Sequence, residues 1–162
     1  MASGGTFMAE ELRSQPDMWE TTLSFPVAEG AVPGDGERIA VIGCGSSWFG
    51  AQVYANLREA AGQGETDAFT ASEYPFDRAY DRVVAISRSG TTTEVIDTLA
   101  RLDGAVPVTA IVGGADTPIA RAATAAIALD YADERSVVQT RFGTSTMALL
   151  RAWAGQTAAV EQ

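Results

Sequence analysis

The chain has 162 residues, a formal net charge of −10, one cysteine and no histidine, and all 11 of its cationic side chains are arginine. Without lysine the chain cannot form its own Schiff base, and without histidine it has no imidazole base, no Ser-His-Asp triad and no His-ligated metal site. A single cysteine excludes an internal disulfide and a Cys-rich zinc site. Any chemistry must therefore come from carboxylates, hydroxyls, backbone amides, arginine or a partner chain.

A chain of this length fits one domain, and its 46% hydrophobic and 20% charged residues are ordinary for a globular fold. The negative balance disfavours nonspecific binding to nucleic acid or to an anionic membrane, so an anionic ligand needs a local site. The sequence contains no apolar run of about 18 residues, the length that a membrane-spanning helix needs. Residues 1–8 lack the cationic and apolar regions of a signal peptide. The sequence therefore predicts a cytoplasmic protein.

Apolar periodicity predicts helices that alternate with short buried strands. In chain order these are a helical stretch over 6–24 with a new segment at Gln15-Pro16, a loop over 26–37, a strand over 38–43, a helix over 47–61, a weak strand over 67–71, a strand over 82–86, a helix over 92–102, a strand over 106–112, a short helix over 118–123, a strand over 125–129 and a long helix over 137–160. This alternation is typical of βαβ units. We predict a three-layer α/β/α domain with about five parallel strands, whose ligand binds beyond the carboxyl ends of the strands.

The most informative segment runs from Ser87 to Glu94, where the strand ending at Ile86 passes into a helix. Its hydroxyl residues surround Gly90, and Thr91 and Glu94 have the spacing of a capping box. The remaining hydroxyls, the exposed backbone N–H groups and the positive end of the helix can hold a phosphate without lysine. A polar loop that only caps the helix has the same spacing, so the residues alone leave both interpretations open.

A second glycine turn follows the first strong strand and also opens a helix. The dinucleotide-binding pattern GxGxxG fails here, because Gly43-Cys44-Gly45 is followed by Ser46-Ser47-Trp48 and tryptophan takes the place of the third glycine. This spacing disfavours a nicotinamide or flavin cofactor. Cys44 is interpreted as a small buried residue, since no charged neighbour in the sequence indicates a reactive thiolate.

Two further features are expected on the same edge of the sheet. Ser136 and Gln139 have capping-box spacing and are predicted to open the last helix. Glu73 follows the second strand, and a carboxylate at a strand end can transfer protons if burial raises its pKa. A solvated loop carboxylate or a helix cap is the other interpretation of Glu73, and the pattern alone favours it.

Taken together, these segments resemble the SIS (sugar isomerase) domain family. Ile42 to Ser47 is similar to its first phosphosugar loop, and Ala85 to Thr92 is similar to its ISxSGxT phosphate loop. Residues 134–146 resemble the stretch that opens the last helix in the isomerase half of glucosamine-6-phosphate synthase and in AgaS-type relatives, and residues 10–16 resemble the leader helix before the first SIS domain of those proteins. The resemblance implies leader helices and a loop over residues 1–36 and a flavodoxin- or Rossmann-like SIS phosphosugar-binding domain over 37–162.

The resemblance also implies a set of substrate-binding residues, which are Cys44, Gly45, Ser46, Ser47, Ser87, Arg88, Ser89, Thr92, Val137 and Gln139. Ser87, Ser89 and Thr92 would hold the phosphate, and Arg88 stands where the synthase has glutamine, so it adds charge to the site or binds differently. Ser46 and Ser47, beside Cys44 and Gly45, would contact the phosphate or the sugar hydroxyls. Val137 and Gln139 would approach the sugar, with Gln139 in the place of a serine. Glu73 resembles the acid/base glutamate of the N-acetylmuramic acid phosphate etherases.

The function implied by the resemblance is that of a phosphosugar isomerase or deaminase/isomerase, acting on an amino-sugar phosphate through an enediol, with no metal or organic cofactor. The synthase-like relatives carry two SIS halves, and their catalytic lysine, histidine and glutamate lie in or near the second half or on a neighbouring subunit. This sequence matches one half. We therefore expect a homodimer or pairing with a second SIS half. The alternative is a non-catalytic regulatory module that binds a phosphosugar.

Overall fold

The computed structural model describes residues 4–136 and 138–156. Five parallel strands form one sheet with helices on both faces, which confirms the predicted three-layer α/β/α architecture. The elements in chain order are α1 (Gly4–Arg13), α2 (Gln15–Leu23), β1 (Ile39–Gly43), α3 (Ser46–Ala60), β2 (Thr66–Thr70), a 3-10 turn (Ala71–Glu73), β3 (Arg82–Ser87), α4 (Thr93–Leu102), β4 (Val108–Val112), α5 (Pro118–Ala122), β5 (Ala125–Ala128), a second 3-10 turn (Asp130–Ala132) and α6 (Arg141–Trp153).

The strand order is β2-β1-β3-β4-β5, the doubly wound order of flavodoxin-like sheets. The chain reverses its winding direction between β1 and β3, which are adjacent and in register, with Gly43 paired to Ile86. The loops that leave these two strands therefore start side by side at the carboxyl edge of the sheet. In open α/β sheets this switch point is where a crevice forms and ligands bind.

Successive residues of the central strands point to opposite faces, so the sheet has an apolar core on each side. On one face Ile39 and Val41 of β1 pack in the same core as residues of α3 and α6. On the other face Ala40 and Ile42 share a core with α4 and α5. Because both faces of β1 are covered, all five of its residues are buried, as is expected for a parallel strand.

The N-terminal segment packs against the domain. Pro16 lies in the first turn of α2, as predicted, and α2 contacts α6. The loop that leads to β1 is held by the buried Arg58 of α3, whose guanidinium donates to the carbonyl oxygens of Gly34 at 2.6 Å and Glu37 at 3.0 Å. Within the described residues no helix combines the length and the apolar character needed to cross a bilayer. The division at residue 36 stays a prediction.

Two helix starts differ from the predicted ones. The last helix begins at Arg141 rather than residue 137, so the proposed capping box of Ser136 and Gln139 is wrong. The amides at its start are instead taken by the Glu134 carboxylate. The capping residue of α4 is Thr92 rather than Thr91, and its hydroxyl is engaged elsewhere in the loop.

Candidate functional site

Residues 87–92, which comprise the last residue of β3 and the loop that leads to α4, are here called the phosphate loop. The Ser87 and Thr92 hydroxyl oxygens lie 2.8 Å apart, and Ser87 Oγ also accepts the Gly90 amide at 3.2 Å. Ser89 Oγ accepts the Thr91 amide at 3.2 Å. Ser87 is buried while Ser89 is exposed, so the loop has hydroxyls both in the interior and at the surface of the protein. The structure thus places Ser87, Ser89 and Thr92 in one loop, and their role in phosphate binding stays a prediction.

Gly90 is required at the tip of this loop for two reasons. Its φ of +62° is a left-handed conformation that side chains other than glycine adopt at a cost. A Cβ atom at this position would also collide with Thr117, which precedes α5. Gly90 further accepts a hydrogen bond from the Ile119 amide at 3.1 Å. The neighbouring helix therefore buttresses the phosphate loop from behind.

Residues 44–47, which comprise the turn after β1 and the first two residues of α3, are here called the glycine loop. Gly45 precedes α3 with a φ of +57°, which allows the chain to turn sharply from the strand into the helix. Ser46 is exposed at the helix start and Ser47 is buried beneath it. Burial raises the pKa of the Cys44 thiol, and the charge of Glu94 raises it further against the effect of the Ala71 amide. A protonated thiol of this kind is a poor nucleophile.

The helices that leave the two loops share an electrostatic property. Among the described residues no side chain caps the first turn of α3 or of α4. By contrast, α5 is capped by Thr117, whose Oγ1 accepts the Ala120 amide. Helix N-termini carry a partial positive charge that favours an anion, and their unpaired N–H groups can donate to it. At α3 the Ser47 and Trp48 amides already donate to the Cys44 and Gly45 carbonyls. The arrangement can therefore bind a phosphate in a chain that is strongly negative overall.

The Arg88 guanidinium contacts residues 133–134. Its Nη1 donates to the Glu134 carbonyl at 3.1 Å and lies 3.9 Å from the Asp133 carboxylate. Its Nε lies 3.8 Å from Glu134 Oε1. Arg88 thus connects the phosphate loop to the segment that precedes α6, and its guanidinium is shared with two carboxylates.

The segment 134–140, here called the sugar segment, returns to the same edge of the sheet. Gln139 borders a cavity of about 290 Å³ together with Ser46, Ser47 and Ile86, so it lies next to the glycine loop. The cavity continues between α3 and α6 and is otherwise mainly apolar. Val137 lies outside the described residues. Of the two predicted sugar contacts, the structure therefore describes only Gln139.

Glu73 ends the 3-10 turn that follows β2 and is exposed. Because β2 is the neighbour of β1, Glu73 is at the same edge of the sheet as the glycine loop. The turn is tied to α4 by a hydrogen bond of 2.8 Å from Thr98 Oγ1 to the Ala71 carbonyl. Within the part of the chain that the structure describes, no group of three histidine, cysteine, aspartate or glutamate residues is placed to bind a metal ion.

Two buried carboxylates near this edge were missed by the sequence analysis. Glu134 and Glu11 of α1 are 5% and 3% exposed and both contact the sugar segment. One signal could have identified Glu11. It follows Phe7 by four residues and Met8 by three, which puts it on the same face of α1 as these apolar side chains.

Comparison with known proteins gives the family of the chain. The family model described as SIS domain matches residues 35–154. No curated protein matches the sequence. Among solved structures, the C-terminal domain of glucosamine-fructose-6-phosphate aminotransferase from Francisella tularensis is similar, with 20% identity and a TM-score of 0.78 over 95% of this chain. The alignment spans 48% of that chain.

Two other similar structures contain sugar phosphates. An Escherichia coli CFT073 protein in complex with a sugar phosphate has 15% identity and a TM-score of 0.76, over 97% of this chain and 91% of its own. The Vibrio vulnificus NanR protein complexed with ManNAc-6P has 18% identity and a TM-score of 0.67, over 93% and 62%. At these identities the likeness shows a common fold. The match of the family model to most of the sequence shows that the chain belongs to the SIS domain family.

Proposed function

We propose that this chain binds a sugar phosphate at the edge of the sheet between β1 and β3. The phosphate would lie on Ser87, Ser89 and Thr92 at the start of α4, and the sugar would extend over the glycine loop toward Gln139. The observation that carries the proposal is the juxtaposition of two hydroxyl-rich loops at the switch point, each opening a helix that no described side chain caps.

In our proposal the bound sugar phosphate is the substrate of an aldose–ketose isomerase or of an amino-sugar phosphate deaminase/isomerase, of which this chain supplies one SIS half. A base removes the proton on the carbon next to the carbonyl while the carbonyl oxygen gains a proton, which gives an enediol; the base then returns the proton to the former carbonyl carbon as the other hydroxyl loses its own. In the deaminase reaction the corresponding enolamine becomes an imine, and water hydrolyses its C–N bond to give the ketone and ammonia. Glu73 is the candidate for this transfer within the chain. The remaining acid and base groups would come from a second half, since the sequence has no lysine or histidine.

Thermal shift with a panel of sugar phosphates tests the binding site. Glucosamine 6-phosphate, fructose 6-phosphate and arabinose 5-phosphate are compared with the unphosphorylated sugars. We expect at least one phosphate to raise the melting temperature, because a ligand that binds only the folded state stabilises it. The double variant Ser87→Ala/Ser89→Ala should lose the shift. Ser24→Ala, an exposed serine after α2, is the matched control and should retain it.

The absence of a shift with every sugar phosphate would contradict the site assignment. So would an unchanged shift in the double variant, because the ligand would then bind elsewhere.

The second candidate function is that of a non-catalytic phosphosugar-binding module. The exposure of Glu73 favours it, because a carboxylate in water is not held against a substrate carbon. Isomerase and ammonia-release assays separate the two functions. Turnover by the wild-type chain that is lost in Glu73→Gln, while the thermal shift persists, supports the enzyme. Binding without turnover supports the module.

A further inference from the structure

Two buried carboxylates contact the sugar segment and are not explained by phosphate binding. Glu11 belongs to α1, and Glu134 opens the sugar segment. The two residues are far apart in the sequence, yet the Thr140 hydroxyl lies within 3.3 Å of Glu11 Oε2 and 2.8 Å of Glu134 Oε2. Buried carboxylates are costly unless they are hydrogen-bonded or paired. Their partners therefore show what these two groups hold in place.

Glu11 binds the middle of the sugar segment. Its Oε1 accepts the backbone amides of Arg135 at 2.6 Å and of Ser136 at 3.2 Å. Its Oε2 accepts the Ser136 hydroxyl and lies 3.3 Å from the Thr140 hydroxyl oxygen, whose single proton it shares with the nearer Glu134 Oε2. A single side chain from the first helix thus takes two amides and the Ser136 hydroxyl, and competes with Glu134 for the Thr140 hydroxyl, in a segment whose described residues form no helix or strand.

Glu134 binds the end of the same segment. Its Oε2 accepts the Thr140 amide at 2.6 Å, the Thr140 hydroxyl at 2.8 Å and the Arg141 amide at 2.7 Å, and so caps the start of α6. Its Oε1 is buried, accepts no hydrogen bond from the described residues and faces Arg88 Nε at 3.8 Å. Glu134 therefore connects α6 to the phosphate loop through Arg88.

We propose that Glu11 and Glu134 are positioning residues that hold the sugar segment, and with it Gln139, beside the phosphate and glycine loops. The proposal rests on the proposed function, since it assigns these residues to the sugar-phosphate site. Neither carboxylate touches the ligand in this account. Glu11 holds only the sugar segment. Glu134 holds the sugar segment and also the phosphate loop, because its second carboxylate oxygen faces Arg88.

This division of roles follows from the contacts. The hydrogen bonds that the Glu11 carboxylate accepts come from Arg135, Ser136 and Thr140, all in the sugar segment. The phosphate loop is built from its own hydroxyls and is buttressed by Thr117 and Ile119, which lie elsewhere. Loss of Glu11 should therefore loosen the sugar contacts and leave the phosphate contacts in place.

The Kd values of two ligands test the proposal. Glucosamine 6-phosphate probes the sugar and phosphate contacts together, and inorganic phosphate probes the phosphate contacts alone. In Glu11→Ala we expect the Kd for glucosamine 6-phosphate to rise about tenfold, the effect of losing hydrogen bonds to a charged group, and the Kd for phosphate to stay the same. In Glu134→Gln the Kd for both ligands should rise. Glu11→Gln keeps an oxygen for the Arg135 and Ser136 amides and should restore most of the affinity for the sugar.

Two controls separate positioning from general stability. Glu10→Ala removes the neighbouring exposed carboxylate of α1 and should change neither Kd. Leu149→Ala opens a cavity in the core under α6, lowers the melting temperature and should leave the Kd ratio of the two ligands unchanged. Hydrogen exchange at the Arg135 and Ser136 amides gives a readout without ligand, and it should accelerate in Glu11→Ala but not in Glu10→Ala.

Three outcomes would overturn the proposal. One is an unchanged Kd for glucosamine 6-phosphate in Glu11→Ala, and another is an equal rise for both ligands. The third is slow exchange at the two amides in that variant. If Glu11→Ala does not fold, the Kd for glucosamine 6-phosphate is compared between Glu11→Gln and Glu10→Ala. A Kd more than tenfold higher in Glu11→Gln would show that glutamine does not replace Glu11, and this result would also overturn the proposal. If wild type binds neither ligand, the proposed function itself fails.

Discussion

The hydroxyls of the phosphate loop are paired with one another. Ser87 and Thr92 share a hydrogen bond, and Ser89 accepts one from the Thr91 hydroxyl at 3.0 Å. A hydroxyl can rotate to donate elsewhere at little cost, so the same groups can turn toward a phosphate. The hydroxyl donors of the loop therefore have partners within the loop itself, and in the proposed complex they would turn toward the phosphate.

Replacement of Gly90 by alanine tests how the loop is held. We expect Gly90→Ala to destabilise the fold and weaken sugar-phosphate binding, since it combines a left-handed backbone with a collision at Thr117. The backbone term alone is about 1–2 kcal/mol. Urea unfolding and thermal shift are the measurements.

Gly104→Ala is the matched control. Its φ is +74°, but a Cβ there meets none of the described atoms within 4 Å. This variant should lose only the unfolding free energy that corresponds to the left-handed backbone conformation. It should keep the rise in melting temperature with ligand. Equal losses of stability in the two variants would show that contact with Thr117 does not shape the loop.

Arg88 shows how a charge can serve the site without contacting the hydroxyls. Asp133 and Glu134 lie near its guanidinium, and side-chain exposure is 28% for Arg88 and 0% for Glu134. A guanidinium beside a buried carboxylate lowers the cost of burying that carboxylate. In this structure Arg88 thus contributes to the connection between two loops.

At the scale of elements, the loops after β1 and β3 were predictable and the start of α6 was not. The first two depend on local signals, namely an apolar strand that ends in a glycine turn with hydroxyls before the next helix. The stretch before α6 contains Val137 and Val138 between Ser136 and Gln139, and this pattern alone favours a helix. Its observed form depends on Glu11, 124 residues earlier than Arg135, and no local pattern reports such a contact.

The same contact predicts a pH dependence of stability. Burial raises the pKa of Glu11, but hydrogen bonds from Ser136, Arg135 and Thr140 outweigh that effect and leave the pKa below its ordinary value. A carboxyl with a lowered pKa in the folded state adds stability above its unfolded pKa of about 4.3, and this stability is lost as the pH falls through the folded pKa.

We therefore expect Glu11→Gln to reduce the fall in unfolding free energy that wild type shows below about pH 5. Urea unfolding across this range is the measurement, with Glu10→Gln as the control. Part of the dependence should persist, because the hydrogen bond from Arg82 also lowers the pKa of Glu37. The same acid slope in Glu11→Gln and wild type would show that the buried carboxylate does not contribute.

At the scale of the molecule, the chain spans 48% of the similar Francisella chain, which is about half of that protein's domain. Phe49 and Val53 of α3 are 60% and 45% exposed and border the apolar cavity between α3 and α6, together with Met147. Exposed apolar residues that flank a groove are typical of an interface. We propose that a second copy of this chain covers this face.

Light scattering after size exclusion tests the pairing. Wild type should have twice the 16.9 kDa mass of one chain, and Phe49→Ser/Val53→Ser should shift toward a single chain. Leu12→Ser, an exposed leucine of α1, is the control and should leave the mass unchanged. A wild-type chain that elutes as a single copy at concentrations of about 50 μM would contradict pairing through this face.

We propose that a sugar phosphate binds between the loops that leave β1 and β3. Amide shifts of the isotope-labelled chain during titration with glucosamine 6-phosphate show which residues the ligand contacts. We predict that the largest shifts occur at Gly45, Ser46, Ser89, Gly90 and Thr91, with inorganic phosphate moving the last three. Shifts centred on another edge of the sheet, or none at millimolar ligand, would contradict it.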